Sequence, residues 1–137
     1  MTPEQITLVQ SSFGLVKPIA DQAATIFYDK LFAIDPSLRS MFPADMTEQK
    51  RKLMAMLGTA VGALKQPEAL IPVVQKLGRS HVAYGVKDEH YPIVGAALIY
   101  TLGAGLGDAF TPEVHEAWGE AYSLLSSVMI EASHTAA

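Results

Sequence analysis

Apolar residues in this chain recur every three or four positions, and nowhere do they alternate in twos between hairpin turns. That period calls for helices with one buried face each and leaves no place for a sheet. Ile6, Val9, Phe13 and Val16 form the first stripe, behind a capping-box start, Thr2-x-x-Gln5, with Pro3 where a first turn tolerates it. Pro18 marks a joint, and Ala20, Ala24, Phe27, Tyr28 and Leu31 form the second stripe. Asp35-Pro36 caps a short third helix ending near Phe42-Pro43. Asp45-x-x-Glu48 opens a fourth, with Gln49, Leu53, Leu57, Ala60 and Leu64 on one face. Pro67 and Pro72 bracket the start of a fifth, whose face is Leu70, Val73, Val74, Leu77 and His81 and whose end is Gly85. Asp88-Glu89 opens a sixth and Thr111-Pro112-Glu113 a seventh. About seven helices of unequal length predict an all-α fold other than a simple four-helix bundle.

The 137 residues suit a single domain, 1–137, without repeats or linkers. Half are apolar and only 18% are charged, with a mean hydropathy of +0.22, which excludes intrinsic disorder. Such a balance suggests that the chain covers something besides itself: a large cofactor, a partner subunit or a membrane. A net charge of −4 and a pI near 5.5 argue against a general affinity for nucleic acid. The absence of cysteine removes disulfides, zinc–thiolate sites, iron–sulfur clusters and cysteine nucleophiles together. The start, Met1-Thr2-Pro3-Glu4-Gln5, is unlike a secretory leader. Residues 91–107 are 17 positions without a charge, at the lower edge of a membrane span. Pro92, four glycines and flanking acids favour a buried core helix there, so no membrane partner and a cytoplasmic location are expected.

Of the four histidines, His81 stands out, because it continues the apolar stripe one turn beyond Leu77. It is either a core histidine bonded to a backbone carbonyl or an axial metal ligand. No second ligand follows at the helical spacings, since Tyr84 and Gly85 occupy them, so zinc and di-iron helix motifs are absent. A lone imidazole in an apolar chain fits a macrocycle that brings its own four nitrogens, as haem does. Tyr28 and Gln49 also lie on inward stripes. Each alone reads as a polar group bonded to backbone; together they offer two donors within apolar walls. Dioxygen held on iron carries partial negative charge, which fixed donors in a dry pocket stabilise. The glycines at 103, 105 and 107 lie within an apolar helix and form no phosphate loop, and no serine has a nucleophile-elbow context. Lys50-Arg51-Lys52 reads as a solvated helix face, with Lys52 alternatively reaching an acidic cofactor group.

Taken together, the chain resembles bacterial single-domain haemoglobins and the globin domain of flavohaemoglobins. The matching stretches are Phe27-Tyr28-Asp29-Lys30-Leu31-Phe32, residues 38–42, residues 70–81 with their Leu-Ile-Pro start, Tyr91-Pro92-Ile93-Val94-Gly95, and Ala117-Trp118-Gly119-Glu120-Ala121-Tyr122. Each is weak alone; their order and spacing are specific. The resemblance implies a three-on-three helical sandwich around a pocket for haem b. It places the proximal iron ligand at His81, a phenylalanine on the haem face at Phe42, a distal pair at Tyr28 and Gln49, and an apolar wall at Leu53. Tyr91 matches a proximal tyrosine, and Lys52 a propionate partner. Leu57, Leu77, Val86 and Val94 complete the expected cofactor contacts.

Two departures bear on function. Flavohaemoglobins continue into flavin and nicotinamide domains where this chain stops, so a reductase is expected as a separate partner. The same family pairs its proximal histidine and tyrosine with a glutamate fifteen residues after the tryptophan, where this chain has Ser133. Glu131 lies about 200° round the helix from that place. The resemblance therefore implies reversible binding of dioxygen, and of CO and NO, at a five-coordinate ferrous iron, and a haem that takes up most of the apolar surplus favours a monomer. Nitric oxide dioxygenation with an external reductase is the alternative. A sensor would need an output domain, and a cofactor-free helical protein would make His81 an accident.

Overall fold

A computed structural model describes residues 1–135. Among the described residues there are six α-helices and no strand: α1 (Pro3–Val16), α2 (Ala20–Ile34), α3 (Thr47–Gly62), α4 (Pro67–Ala83), α5 (His90–Leu106) and α6 (Pro112–Thr135). Their starts follow local chemistry. The Thr2 hydroxyl accepts from Gln5 N at 3.1 Å while the Gln5 side chain accepts from Thr2 N at 2.9 Å, closing the expected capping box. Asp45 Oδ1 accepts from Thr47 N at 3.0 Å ahead of α3, and Thr111 Oγ1 accepts from Val114 N ahead of α6. Glu48 turns forward to Arg51 instead, at 2.6 Å.

Two expectations need correction. The third helix is not α-helical: Pro36–Met41 is a 3-10 turn, capped by Asp35 Oδ1 accepting from Ser37 N. Six residues begun by a proline cannot close enough longer-range hydrogen bonds to sustain an α-helix. Gly107 does not lie inside the sixth predicted helix but ends it, at φ +55°, a conformation that favours glycine.

The helices stack in two layers, α1, α3 and α4 over α2, α5 and α6. The closest packing runs across the layers, between α4 and α6 and between α1 and α6, and within one layer between α2 and α5. This is the three-on-three arrangement that the resemblance implies. Phe13, Phe27, Leu31, Leu98, Leu102 and Trp118 bury their side chains at its centre. Trp118 Nε1 donates to Ser12 Oγ at 2.8 Å, so the one indole N–H stays satisfied while it pins α6 to α1. Over His90–Ala109 the chain is long and apolar enough to cross a membrane by length and composition. In the fold it packs against α2 and α6, with Tyr91, Gly95, Ala97 and Leu98 buried.

The α4–α6 contact depends on a missing side chain. A Cβ on Gly78 would stand 2.7 Å from Met129 Cα and meet the Met129 carbonyl oxygen. Gly78→Ala is therefore expected to destabilise by about 1–3 kcal/mol, by forcing backbone apart rather than a flexible side chain. Urea denaturation checks it, and an unchanged midpoint would show that α6 yields without cost.

Candidate functional site

The end of α4 sets the His81 side of the site. Gly85, at φ +84°, lets the chain reverse. Val86 N then donates to His81 O at 3.0 Å and Gly85 N to Val82 O at 3.1 Å, the paired bonds of a glycine-terminated helix. The reversal brings Val86 beside the last turn and starts α5 one short loop later. Tyr91, one residue into α5, reaches back: its hydroxyl lies 3.2 Å from His81 Nδ1. Tyr122 on α6 donates to Tyr91 O at 2.6 Å and holds that tyrosine from behind. With Nδ1 engaged, Nε2 is the free imidazole nitrogen.

Burial pushes the His81 imidazole below its usual value of 6.5, because desolvation disfavours the charged ring. The folded chain thus keeps His81 neutral, the form that binds metal, while the unfolded chain protonates it. Without cofactor, stability should be intact above the ordinary histidine range and decline as pH falls through it. The decline stops below the depressed folded value, since only between the two does the unfolded state bind the extra proton. Urea titrations of the haem-free chain at several pH values check this against His81→Leu, in which the acid-side decline should shrink. An identical slope would assign it to other groups.

A second group of candidate residues is held by α2, the 3-10 turn and α3. Gln49 Nε2 donates to the Tyr28 hydroxyl at 3.1 Å. Tyr28 packs edge-on against Phe42, with ring centroids 5.6 Å apart, and against Phe27 at 5.0 Å. Burial raises the Tyr28 pKa, partly offset by the bond from Gln49, so the hydroxyl keeps its proton. Because Gln49 supplies the hydrogen of their mutual bond, the Tyr28 hydrogen is left to point elsewhere. Leu53 and Leu57 continue the same face of α3, one and two turns on. Behind them a void of about 10 Å³ touches Phe13, Phe27, Leu98 and Trp118.

The apolar residues expected at the cofactor share one property. Phe42, Leu53, Leu57, Leu77, Val86 and Val94 are all half-buried against the core, while the apolar residues behind them are fully buried. Lys52 is exposed and, among the described residues, has no bonded partner. Lys50 departs from the solvated face expected of it: its Nζ donates to Thr25 Oγ1 at 3.2 Å and ties α3 to α2. Among the described residues no group of three His, Asp or Glu could hold a bare metal ion. A lone neutral imidazole between half-buried apolar side chains therefore fits a flat apolar macrocycle that carries its own donors.

Three supporting residues were given no site role by the sequence. Arg39 donates to the carbonyls of Phe42, Pro43 and Ala44, at 3.2, 2.9 and 3.0 Å, and so shapes the turn that presents Phe42. Tyr122 holds Tyr91 as described. Asp88 is the carboxylate that Tyr91 feels, adding to burial in raising its pKa, and it pairs with His134 at 2.6 Å. Ser133 Oγ donates to its own helix at Ile130 O, and Glu131 is exposed.

This helical sandwich and lone-histidine site belong to one class of fold. The globin family model matches residues 25–129, and the chain belongs to the globin family. It is 35% identical over 133 residues to a flavohemoprotein of Deinococcus radiodurans and 31% identical over 128 residues to one of Bacillus subtilis. Those matches cover 95% and 91% of this chain but span only about a third of the curated relatives, 33% and 32%. Among solved structures, a bacterial globin from Campylobacter jejuni superposes with a TM-score of 0.87 at 27% identity, covering 98% of this chain and 97% of that one. An engineered carbene transferase made from a putative nitric oxide dioxygenase of Rhodothermus marinus gives 0.87 at 26% identity, covering 98% and 94%.

Proposed function

We propose that this chain is a haem b globin that binds dioxygen reversibly, along with CO and NO, for oxygen storage or transport. Haem would supply a five-coordinate ferrous iron able to take one diatomic ligand. The observation that carries the reading is the presence of two pre-bonded couples, His81–Tyr91 and Tyr28–Gln49, at 3.2 and 3.1 Å. His81 Nε2 would bind the iron, with Nδ1–H donating to the Tyr91 oxygen and fixing the ring's tautomer. Tyr28 would donate its remaining hydrogen to the gas ligand, with Gln49 orienting it. Phe42, Leu53, Leu57, Leu77, Val86 and Val94 would cover the macrocycle and exclude water, and Lys52 would meet a propionate. An absorption spectrum of the purified protein tests this reading. A haem Soret band that shifts with oxygen and with CO is expected; a protein free of haem after expression with excess haem would overturn it.

Nitric oxide dioxygenation, with a separate reductase restoring the ferrous state, is a second reading, favoured by the likeness to the Rhodothermus marinus protein. Ser133 bears on the choice. Its hydroxyl is spent on Ile130 O and carries no charge, so it does not enrich Tyr91 or His81 in electrons. Slow consumption of peroxide by the ferric protein is expected, and Ser133→Glu should raise it unless burial keeps the new carboxyl protonated. A high, peroxidase-like iron–histidine stretching frequency in the unmodified protein would show that another group supplies that charge.

A further inference from the structure

The two layers of the sandwich carry opposite charge. The layer of α1, α3 and α4, residues 1–19 and 47–87, holds eight Lys and Arg against three Asp and Glu, a net +5. The layer of α2, α5 and α6 with its turns, the remaining residues, holds two against eleven, a net −9. In the acidic layer both cations are occupied: Arg39 by three carbonyls and Lys30 by the Tyr100 ring, 4.4 Å away. In the basic layer Lys52, Lys65, Lys76, Arg79 and Lys87 are exposed and, among the described residues, in no ion pair. Large side chains of α4 and its end stand in water among them, with Val82 46% and Tyr84 71% exposed. Arginine and tyrosine are residue types that anchor protein partners, and the exposed lysines around them supply charge that steers an acidic one. The same layer carries Gln49 and His81.

We infer that the outer face of α3 and α4 docks an acidic electron-carrier protein, which gives up one electron to restore ferric iron to ferrous. The inference rests on the haem reading above. Other polyanions fit less well. Nucleic acid calls for an overall basic domain, and this chain has a pI near 5.5. Anionic bilayers select runs of several free cations; the one run here, Lys50-Arg51-Lys52, has its first two members bonded to Thr25 and Glu48. A second copy stacked basic layer on acidic layer would make a head-to-tail contact, which builds rings or filaments instead of the commoner two-fold dimer.

The test titrates the haem-loaded protein with a plant-type [2Fe–2S] ferredoxin, an acidic one-electron carrier, following binding by calorimetry. Raising ionic strength from roughly 0.01 M to roughly 0.15 M shortens the screening length from about 30 to about 8 Å and should weaken binding at least tenfold. The triple variant Lys65→Glu, Lys76→Glu, Arg79→Glu, all outside the pocket, should bind at least tenfold more weakly. Glu113→Lys, Glu116→Lys, Glu120→Lys on the acidic layer should not weaken it. Stopped-flow reduction of the ferric protein by ferredoxin should slow in parallel, by about one to three decades, while reduction by uncharged reduced riboflavin stays unchanged. A salt-independent titration, equal binding by the basic-face variant, or tighter binding to phosphatidylserine vesicles or duplex DNA would overturn the inference. So would salt-sensitive self-association without ferredoxin binding. The titration also runs on the haem-free chain, so a failure to hold haem sinks the functional reading and not the docking face.

Discussion

Replacing His81 by alanine should leave a folded protein that no longer retains haem. In the proposed reading the imidazole alone bonds the iron, and the apolar contacts that remain would hold a macrocycle without anchoring its metal. Changes to groups that merely orient a metal ligand cost about 10–100-fold in affinity, so loss of the ligand itself should cost at least about 100-fold. His81 is half-buried and, among the described residues, its ring bonds only Tyr91, so the α4–α6 packing around Gly78 should survive its truncation. Transfer of haem to an acceptor apoprotein measures the loss, and far-ultraviolet circular dichroism confirms the fold. Added imidazole should restore part of the spectrum by filling the space that the side chain leaves. A Soret band and loss rate matching the parent protein would mean that the iron is held elsewhere.

Tyr28→Phe should raise the oxygen dissociation rate by about one to two decades. A hydrogen bond to a charged partner is worth roughly 1.5–3 kcal/mol, and about 1.4 kcal/mol is one decade in rate or affinity. The hydroxyl is suited to the role because burial raises its pKa and Gln49 occupies its oxygen. Its hydrogen is therefore present and available well above neutral pH. Carbon monoxide gathers less charge on iron and should respond less. Gln49→Leu should act in the same direction but more weakly, since Gln49 points its own amide hydrogen at Tyr28. Stopped-flow mixing of the oxygenated protein with excess CO gives both rates. An oxygen off-rate unchanged in Tyr28→Phe would remove Tyr28 from the pocket, and a larger effect in Gln49→Leu would make the amide the principal donor.

Much of the candidate site was legible in the chain because its members lie on helical stripes. His81 falls one turn after Leu77, Gln49 one turn before Leu53, and Tyr28 between Ala24 and Leu31. Local rules suffice for such placements, as they do for the Thr2–Gln5 capping box and the reversal at Gly85. They fail where two conformations differ by little locally. Residues 36–41 read equally well as a short α-helix or a 3-10 turn, and Gly107 as a helix interior or its end.

What the sequence by itself determined is therefore the inventory: helices with defined faces, one imidazole and two donors on those faces, and no cysteine to offer another chemistry. Only the tertiary structure decided which groups meet. The Gln49–Tyr28 bond joins residues 21 apart and the Trp118–Ser12 bond residues 106 apart. Arg39 looks like any solvated cation until the turn folds back and puts three carbonyls around it. Asp88 lies three residues before Tyr91 in the chain, yet its pairing with His134 exists only because α6 returns to that loop. The division of charge into a basic and an acidic layer has the same origin. Periodicity reports each helix against its own axis, whereas contact and field depend on how the axes cross, and that is set by the packing of all six helices at once.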